Sequence, residues 1–192
     1  MRNAGAIITP SKHTLGLIKK EFHPDSKKLF VIPNGIKFAH SKFTETRKDF
    51  ILFLGSLRVI KNVHGLISAY RKIADQVPHK LVIAGGGNID WLEKGDPGGP
   101  GIVEYVGYVS DEGVDRLLST AALFVFPSFY EGFGFPPLEA MVRGCPVVVS
   151  NVASLPEICG EAALYVNPRS VDSIADAMVK VISDEFLRKS LI

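Results

Sequence analysis

Cysteine is scarce in this sequence, and long apolar runs are absent. The only two cysteines, Cys145 and Cys159, form no CxxC pair and have no histidine placed to complete a metal site, so we expect reduced thiols. No apolar stretch approaches the length that spans a membrane, and the opening residues lack the basic, apolar and small-residue order of a signal peptide. These absences predict a cytoplasmic protein.

An excess of one charge is also missing. The 22 basic and 20 acidic residues leave a formal net charge of +2, and no basic run has the length that marks nucleic-acid binding. We therefore expect no nucleic acid as a partner. Short basic pairs at Lys19-Lys20, Lys27-Lys28 and Arg47-Lys48 are typical of solvated helix ends, although a membrane-facing edge can use such pairs. We assign them no function.

The 192 residues, 46% hydrophobic and 22% charged, predict a folded domain with a sizeable core. Short β-branched and aromatic runs alternate with segments of helical periodicity. Strands are predicted at 5–9, 29–33, 50–55, 80–85, 102–107, 122–127, 146–150 and 163–166, and helices at 63–76, 111–121 and 171–184. Because crossovers between parallel strands are right-handed, this alternation predicts an α/β fold, a Rossmann-like parallel sheet with helices on both faces.

Ligands of such sheets bind beyond the carboxyl ends of the strands, so the loops after residues 54, 84, 107 and 127 are the candidate site. The strongest motif, at 126–149, places a glycine-bearing loop after a strand and before a helix that Pro136-Pro137 is expected to open. The amides of Gly132, Phe133 and Gly134, with the first helical turn, predict a cradle for an anion such as phosphate.

Two glutamates frame this cradle. Glu131 lies in the loop, and Glu139 is predicted in the first turn of the helix. Carboxylates on either side of a phosphate site can accept hydrogen bonds from a hydroxylated ring at each end of a diphosphate, which describes a nucleotide sugar. Each glutamate alone also fits a plainer role, with Glu139 complementing the helix dipole and Glu131 in solvent.

With this motif the sequence resembles the retaining GT-B glycosyltransferases of family 4, the glycogen-synthase-like group, whose signature is two glutamates spaced like Glu131 and Glu139. The resemblance covers nearly the whole chain. It implies that the chain is the C-terminal, donor-binding domain of such an enzyme. It implies that Glu131 contacts hydroxyls of the transferred sugar and that Glu139 contacts the ribose. The amides from Gly132 to Gly134 are then expected to contact the diphosphate and the sugar.

A second match follows the strand at 50–55. Gly55, Arg58 and Lys61 in GSLRVIKN stand where the family has its diphosphate-binding residues. Arg58 can fork over two phosphate oxygens and Lys61 can act as a point charge, so the pair would neutralise a leaving nucleoside diphosphate. The plainer alternative is a pair of solvated residues before the next helix. Since the sequence contains no Asp-x-Asp, we expect neither a metal nor another cofactor.

The segment 104–113 resembles the family's base-binding loop, in which the backbone at Tyr108 and Val109 meets the nucleobase. A strand that runs into a helix start would look the same without a ligand. The nearby AGGG at 84–87 is not a dinucleotide-binding motif, because Asp90 stands where a third glycine is required. The resemblance places Gly85 to Gly87 at the rim of the nucleotide cleft.

The resemblance also divides the chain. Residues 1–40 look like the end of an acceptor domain and the passage out of it, and residues 41–192 look like the nucleotide-sugar binding domain. The acceptor domain and its site for a glycan or a lipid-linked acceptor are expected to be missing, so the chain alone should bind a nucleoside diphosphate weakly and transfer no sugar. The last predicted helix, at 171–184, is expected to stop at EFLRKSLI (185–192) without a cap or closing element.

Several functions remain open at this point. Strings such as SFYEGFGFPPLEAM resemble bacterial mannosyltransferases and similar enzymes of polysaccharide biosynthesis, and the full enzyme is expected in the cytoplasm or at the inner face of the membrane. A glycosidase that used Glu131 and Glu139 would need carboxyls about 5 to 9 Å apart. A non-catalytic nucleotide-binding module or a nucleotide-sugar epimerase would also fit the predicted fold.

Overall fold

A computed structural model describes residues 3–36, 47–87 and 99–192 of the chain. The strands in these ranges are β1 Ile7–Thr9, β2 Leu29–Val31, β3 Lys48–Leu54, β4 Lys80–Ala84, β5 Val103–Gly107, β6 Ala121–Phe126, β7 Val147–Ser150 and β8 Leu164–Val166. The helices are α1 Lys12–Phe22, α2 Val63–Ile73, α3 Asp111–Thr120, α4 Phe135–Met141, α5 Leu155–Cys159, α6 Val171–Ser183 and α7 Glu185–Ser190, with 3-10 turns at Ser26–Lys28 and Val59–Lys61. Every predicted strand is present, with its ends within two residues of the prediction.

Six strands form one parallel sheet in the order β5-β4-β3-β6-β7-β8, which confirms the predicted α/β class. At its centre, Leu52 of β3 is paired with Val82 of β4 and with Phe124 of β6. Every residue of β6 is buried, as expected for a parallel strand that is covered on both faces.

The chain leaves β3 in one direction, towards β4 and β5, and later leaves β6 in the other direction, towards β7 and β8. Because crossovers are right-handed, this reversal puts α2 on one face of the sheet and α3 and α4 on the other. Helix α6 packs against α2, while α3 packs against α4. The helices therefore cover both faces, as predicted.

Strands β1 and β2 form a separate two-stranded parallel sheet, with Ile7 beside Leu29. Helix α1 connects them, and it packs against both strands. Several large apolar side chains of this unit are exposed, including Ile8, Phe22 and Phe30.

Arg47 joins two helix ends just before β3. Its guanidinium donates hydrogen bonds of 2.6 to 3.2 Å to four backbone carbonyls, which belong to Leu118, Ser119, Arg143 and Gly144. These carbonyls lie at the ends of α3 and α4, where backbone acceptors lack partners within the helix. The interpretation of Arg47-Lys48 as a solvated pair is therefore wrong for Arg47.

The end of the sequence is also more ordered than predicted. Helix α6 ends at Ser183, and the carboxylate of Asp184 then accepts a hydrogen bond of 2.9 Å from the amide of Leu187, which caps α7. Leu191 packs into the core. The expectation of an uncapped last helix is therefore wrong, because Asp184 starts a new helix. Over the described residues, we find no helix of the length and apolarity needed to cross a membrane.

Candidate active site

The carboxyl ends of β3 and β6 are neighbours at the point where the strand order reverses. Such a switch point opens a crevice in which parallel α/β sheets bind their ligands. The loop after β3 and the loop after β6 both enter this crevice, and the amide of Phe129 joins them by donating a 2.8 Å hydrogen bond to the carbonyl of Ile60. Two of the loops singled out from the sequence therefore meet.

Lys61 and Glu131 form an ion pair across this crevice. The ammonium Nζ of Lys61 lies 2.5 Å from Oε1 of Glu131, and the two side chains are only 14% and 12% exposed. The ammonium also lies 5.1 Å from the ring centroid of Phe126, where the aromatic face attracts a cation. The structure thus brings together Lys61, which is predicted to bind the diphosphate of a nucleotide sugar, and Glu131, which is predicted to bind its sugar.

Asn62 fixes the backbone that carries Lys61. It is buried, its φ is 55°, and its side-chain amide donates a 2.7 Å hydrogen bond to the carbonyl of Pro168. A Cβ at Gly65 would lie 2.5 Å from the Asn62 side chain, so glycine makes room for it. Sequence reasoning missed Asn62, although asparagine just before a helix and its tolerance of the left-handed region were available as signals.

Arg58, the second basic residue of this loop, is exposed at the start of the turn Val59–Lys61. Within the ranges that the structure describes, no hydrogen bond or ion pair holds its side chain, and Lys61 has its partner in Glu131. The joint action of Arg58 and Lys61 on a diphosphate stays a prediction.

The glycine loop ends at Gly134, whose φ of 113° belongs to a region that favours glycine. A Cβ at this position would lie 2.8 Å from Cδ2 of Leu155. Helix α4 then starts at Phe135, and its second and third residues, Pro136 and Pro137, have no N–H to offer. The first helical turn therefore offers few N–H groups to the predicted anion cradle. The amides of the loop itself would have to form the cradle.

Glu139 is the fifth residue of α4, so the prediction that it lies in the first turn is wrong. The physical reason is that Gly134 ends the loop and lets the helix begin at Phe135, ahead of the two prolines. The side chain of Glu139 is half-buried, and its carbonyl accepts a 2.8 Å hydrogen bond from Arg143. Contact between Glu139 and a ribose stays a prediction.

Backbone hydrogen bonds connect β3, β4 and β5 where the loops that follow these strands begin. The amide of Gly55 donates to the carbonyl of Ala84 at 3.0 Å, and the amide of Gly85 donates to the carbonyl of Gly107 at 2.8 Å. Gly85 has a φ of 141°, and a Cβ there would lie 1.8 Å from the carbonyl oxygen of Gly55. The glycine run at 84–87 therefore serves a backbone-to-backbone contact at the edge of the crevice.

Tyr108 and Val109 follow β5 directly at the same edge of the sheet. Tyr108 is 86% exposed, whereas Val109 packs partly against the core. The hydroxyl of Ser110 then caps α3 by accepting a hydrogen bond from the amide of Gly113. These positions suit the predicted base-binding loop, and the contact with a base stays a prediction.

The carbonyls of the glycine loop are bound by serine and threonine hydroxyls from distant segments. Ser154 lies 2.9 Å from the carbonyl oxygens of both Glu131 and Phe133, and Ser11 and Thr14 donate to the carbonyl of Gly132 at 2.9 and 3.3 Å. Sequence reasoning missed these hydroxyls, since a backbone carbonyl leaves no trace in the residue types.

The two cysteines are free and buried, as expected of reduced thiols. Burial raises the pKa of each thiol to about 12. In the part of the chain that the structure describes, no three His, Cys, Asp or Glu side chains are placed to hold a metal ion.

Comparison with known proteins identifies related sequences along most of the chain. The family described as "Glycosyl transferases group 1" matches residues 48–184. The O-antigen chain mannosyltransferase B of Escherichia coli is 37% identical over 156 residues, which are 77% of this chain and 40% of that protein. An uncharacterized glycosyltransferase of Methanocaldococcus jannaschii is 34% identical over 206 residues, which cover 97% of this chain and 53% of that protein.

A solved structure shows the same fold. HepE of Anabaena, in complex with UDP and glucose, superimposes with a TM-score of 0.80 at 17% identity, over 98% of this chain and 56% of that one. The chain thus spans about half the length, or less, of the relatives it matches.

Proposed function

This chain belongs to the group 1 glycosyltransferases, and we propose that it is the domain that binds the nucleotide sugar in a retaining enzyme of this family. The observation that carries the proposal is the Lys61–Glu131 pair at the switch point, beside the glycine loop. A cation for a diphosphate and a carboxylate for sugar hydroxyls lie together there, which is what an activated sugar requires.

Each predicted site residue then has a role. Glu131 accepts hydrogen bonds from hydroxyls of the sugar, and the amides of Gly132, Phe133 and Gly134 bind the diphosphate. Lys61 and Arg58 neutralise the charge that grows on the nucleoside diphosphate as its bond to the anomeric carbon breaks. The oxygen of an acceptor hydroxyl bonds to that carbon from the same face, and the hydroxyl proton passes to the departing phosphate oxygen. The remaining donor-binding roles are those of Glu139 at the ribose, the Tyr108 and Val109 backbone at the base, and Gly55 at the phosphate edge.

We further propose that this transfer needs no metal ion. The exposed guanidinium of Arg58 and the ammonium of Lys61, which is paired with Glu131, supply positive charge at the crevice. In the described ranges, no three His, Cys, Asp or Glu side chains are placed to hold a metal ion. Because the loop amides add partial positive charge, the leaving diphosphate is neutralised by the protein alone.

The domain division is also a proposal. The β1–α1–β2 unit within residues 1–40 forms a sheet of its own and exposes Ile8, Phe22 and Phe30, which suits contact with an acceptor-binding domain. Residues 41–192 contain the six-stranded sheet and the candidate site. A glycan or lipid-linked acceptor would bind outside this chain, so we expect the chain alone to transfer no sugar.

The names of the relatives suggest the sugar. O-antigen mannosyltransferase is the description of the E. coli relative, and we propose mannose as the sugar and a cell-surface polysaccharide as the product of the full enzyme. We then expect the full enzyme to bind its nucleotide sugar in the cytoplasm, as a peripheral protein on the inner face of the membrane. In the described residues, no observation favours a glycosidase, since Glu131 is paired with Lys61 and not with Glu139.

Calorimetry on the purified chain tests the proposal. We expect weak but saturable binding of at least one of UDP, GDP, ADP and dTDP, and binding of the matching nucleotide sugar, with no change when a chelator is added. Lys61→Ala should weaken diphosphate binding at least about tenfold, and in the full enzyme it should cost on the order of 3 kcal/mol, or about a hundredfold in rate.

Lys72→Ala is the matched control, because Lys72 forms an equally short pair with Asp172 on the surface of α2 and α6. It should leave nucleotide binding unchanged. Failure of all four nucleotides to bind would refute the proposal, and loss of binding with chelator that magnesium restores would refute metal independence.

A further inference from the structure

Three consecutive carbonyls of the glycine loop are held from outside the loop. The hydroxyl of Ser154 lies 2.9 Å from the carbonyls of Glu131 and Phe133, and the hydroxyl of Ser11 donates to the carbonyl of Gly132 between them at 2.9 Å. Ser11 and Ser154 are both completely buried. The two hydroxyls thus reach the loop from two different segments of the chain.

The same three peptide units carry the amides of Gly132, Phe133 and Gly134. These bonds are trans, and in a trans peptide the N–H points opposite to the C=O. Each N–H is therefore directed away from the hydroxyl that holds its own carbonyl. Within residues 3–36, 47–87 and 99–192, none of the three amides donates a hydrogen bond.

Each anchoring serine is itself fixed. Ser11 caps α1 by accepting a 3.1 Å hydrogen bond from the amide of Thr14. The carboxylate of Glu157, in α5, accepts from the amides of Lys12 and His13 at 2.8 and 3.2 Å. Because Ser154 immediately precedes α5, the start of α1, the start of α5 and the glycine loop are held as one unit.

We propose that Ser11 and Ser154 are positioning residues, which hold the three loop amides in the orientation that binds the diphosphate. This inference rests on the proposed function, because it takes the diphosphate as the ligand of these amides. Donors that are oriented before the ligand arrives lose little conformational freedom on binding, so their contribution to affinity is retained.

The test compares the Ser11→Ala and Ser154→Ala variants with the wild-type chain. Pyrophosphate is the probe, because it presents the diphosphate without base or sugar, and UDP and GDP are measured beside it by calorimetry. Loss of one anchoring hydroxyl should weaken binding by about tenfold in each variant. Ser150→Ala is the matched control, since Ser150 is fully buried at the end of β7 and its hydroxyl has no partner within the described residues.

A second measurement does not depend on binding. In the nucleotide-free chain, the amide resonances of Gly132, Phe133 and Gly134 should shift or broaden in Ser11→Ala and Ser154→Ala, and remain in place in Ser150→Ala. Unchanged affinity in both anchor variants, or unchanged loop resonances, would overturn the positioning role. If the wild-type chain binds neither pyrophosphate nor any nucleotide, the proposed function fails, while the resonances still decide whether the serines orient the loop.

Discussion

Lys61 and Glu131 are 70 residues apart in the sequence and 2.5 Å apart in the structure, across the reversal in strand order. Each side chain neutralises the other while no ligand is present, and both are largely removed from water. A diphosphate that binds at this crevice must therefore compete with Glu131 for the ammonium of Lys61. This competition changes what is expected of substitutions at Glu131.

If Glu131 touched only the sugar, as the family resemblance implies, Glu131→Gln would leave the affinity for a bare nucleoside diphosphate nearly unchanged. The ion pair instead predicts that this affinity rises by roughly three- to tenfold in Glu131→Gln, because Lys61 no longer has to break an ion pair before it binds the diphosphate. Affinity for the intact nucleotide sugar should fall at the same time. Calorimetry with both ligands measures the contrast.

Asp172→Asn is the control for Glu131→Gln, because it breaks the exposed pair with Lys72 and should alter neither affinity. An equal loss of diphosphate affinity in Glu131→Gln and Lys61→Ala would contradict the proposed division of roles.

Gly85→Ala should strongly destabilise the fold. The added Cβ would lie 1.8 Å from the carbonyl oxygen of Gly55, and the φ of 141° is unfavourable for alanine. We expect a loss of more than about 3 kcal/mol in the free energy of unfolding, measured by urea denaturation. Gly86→Ala is the neighbouring control, since no atom lies within 4 Å of the Cβ that it adds. Similar stabilities of the two variants would show that the Gly55–Gly85 contact is not tight in solution.

Arg47→Ala should also reduce stability, by about 3 kcal/mol, because four carbonyls at the ends of α3 and α4 lose their charged donor. Arg47→Lys should recover only part of this loss, since an ammonium lacks the planar fork. Lys48→Ala, at the exposed next position, serves as the control in thermal unfolding. A melting temperature for Arg47→Ala equal to that of the control would rule out the bridging role.

Stability should fall as the pH rises above about 9. Free thiols ionise near pH 9.0, whereas burial raises the pKa of Cys145 and Cys159 to about 12 in the folded chain. The unfolded state then binds fewer protons, and each thiol should contribute a loss of about 1.4 kcal/mol between pH 8 and pH 10. Urea denaturation at both pH values measures the loss of unfolding free energy. Cys159→Ala should remove the contribution of one thiol from that loss. An identical pH dependence in that variant would argue against the buried protonated thiol.

Much of the fold could be read from the sequence, because its signals are local. The apolar runs that became β3, β4, β6 and β7 are continuous and bounded by turn residues, as buried parallel strands are. The glycine loop after β6 was found for the same reason. The helix after this loop begins one residue before the predicted start, because the prolines indicate a start at Pro136 and the sequence does not reveal the positive φ of Gly134.

The anchors of the site could not be predicted in this way. Ser11 binds a carbonyl 121 residues away, and Arg47 binds one 97 residues away. Every residue type has a carbonyl, so nothing at Gly132 or Gly144 marks it as a partner. Only the fold, which brings distant segments to one edge of the sheet, reveals these contacts.

The hydroxyls that bind the carbonyls of the glycine loop do not all lie beside the six-stranded sheet in the sequence. The family match at 48–184 contains the whole six-stranded sheet, Lys61, Glu131 and Ser154, but Ser11 lies outside it. A polypeptide trimmed to residues 48–184 would keep the six-stranded sheet and lose the hydroxyls of Ser11 and Thr14, which both donate to the carbonyl of Gly132. The residues that form the six-stranded sheet are therefore not all of the residues that hold the glycine loop.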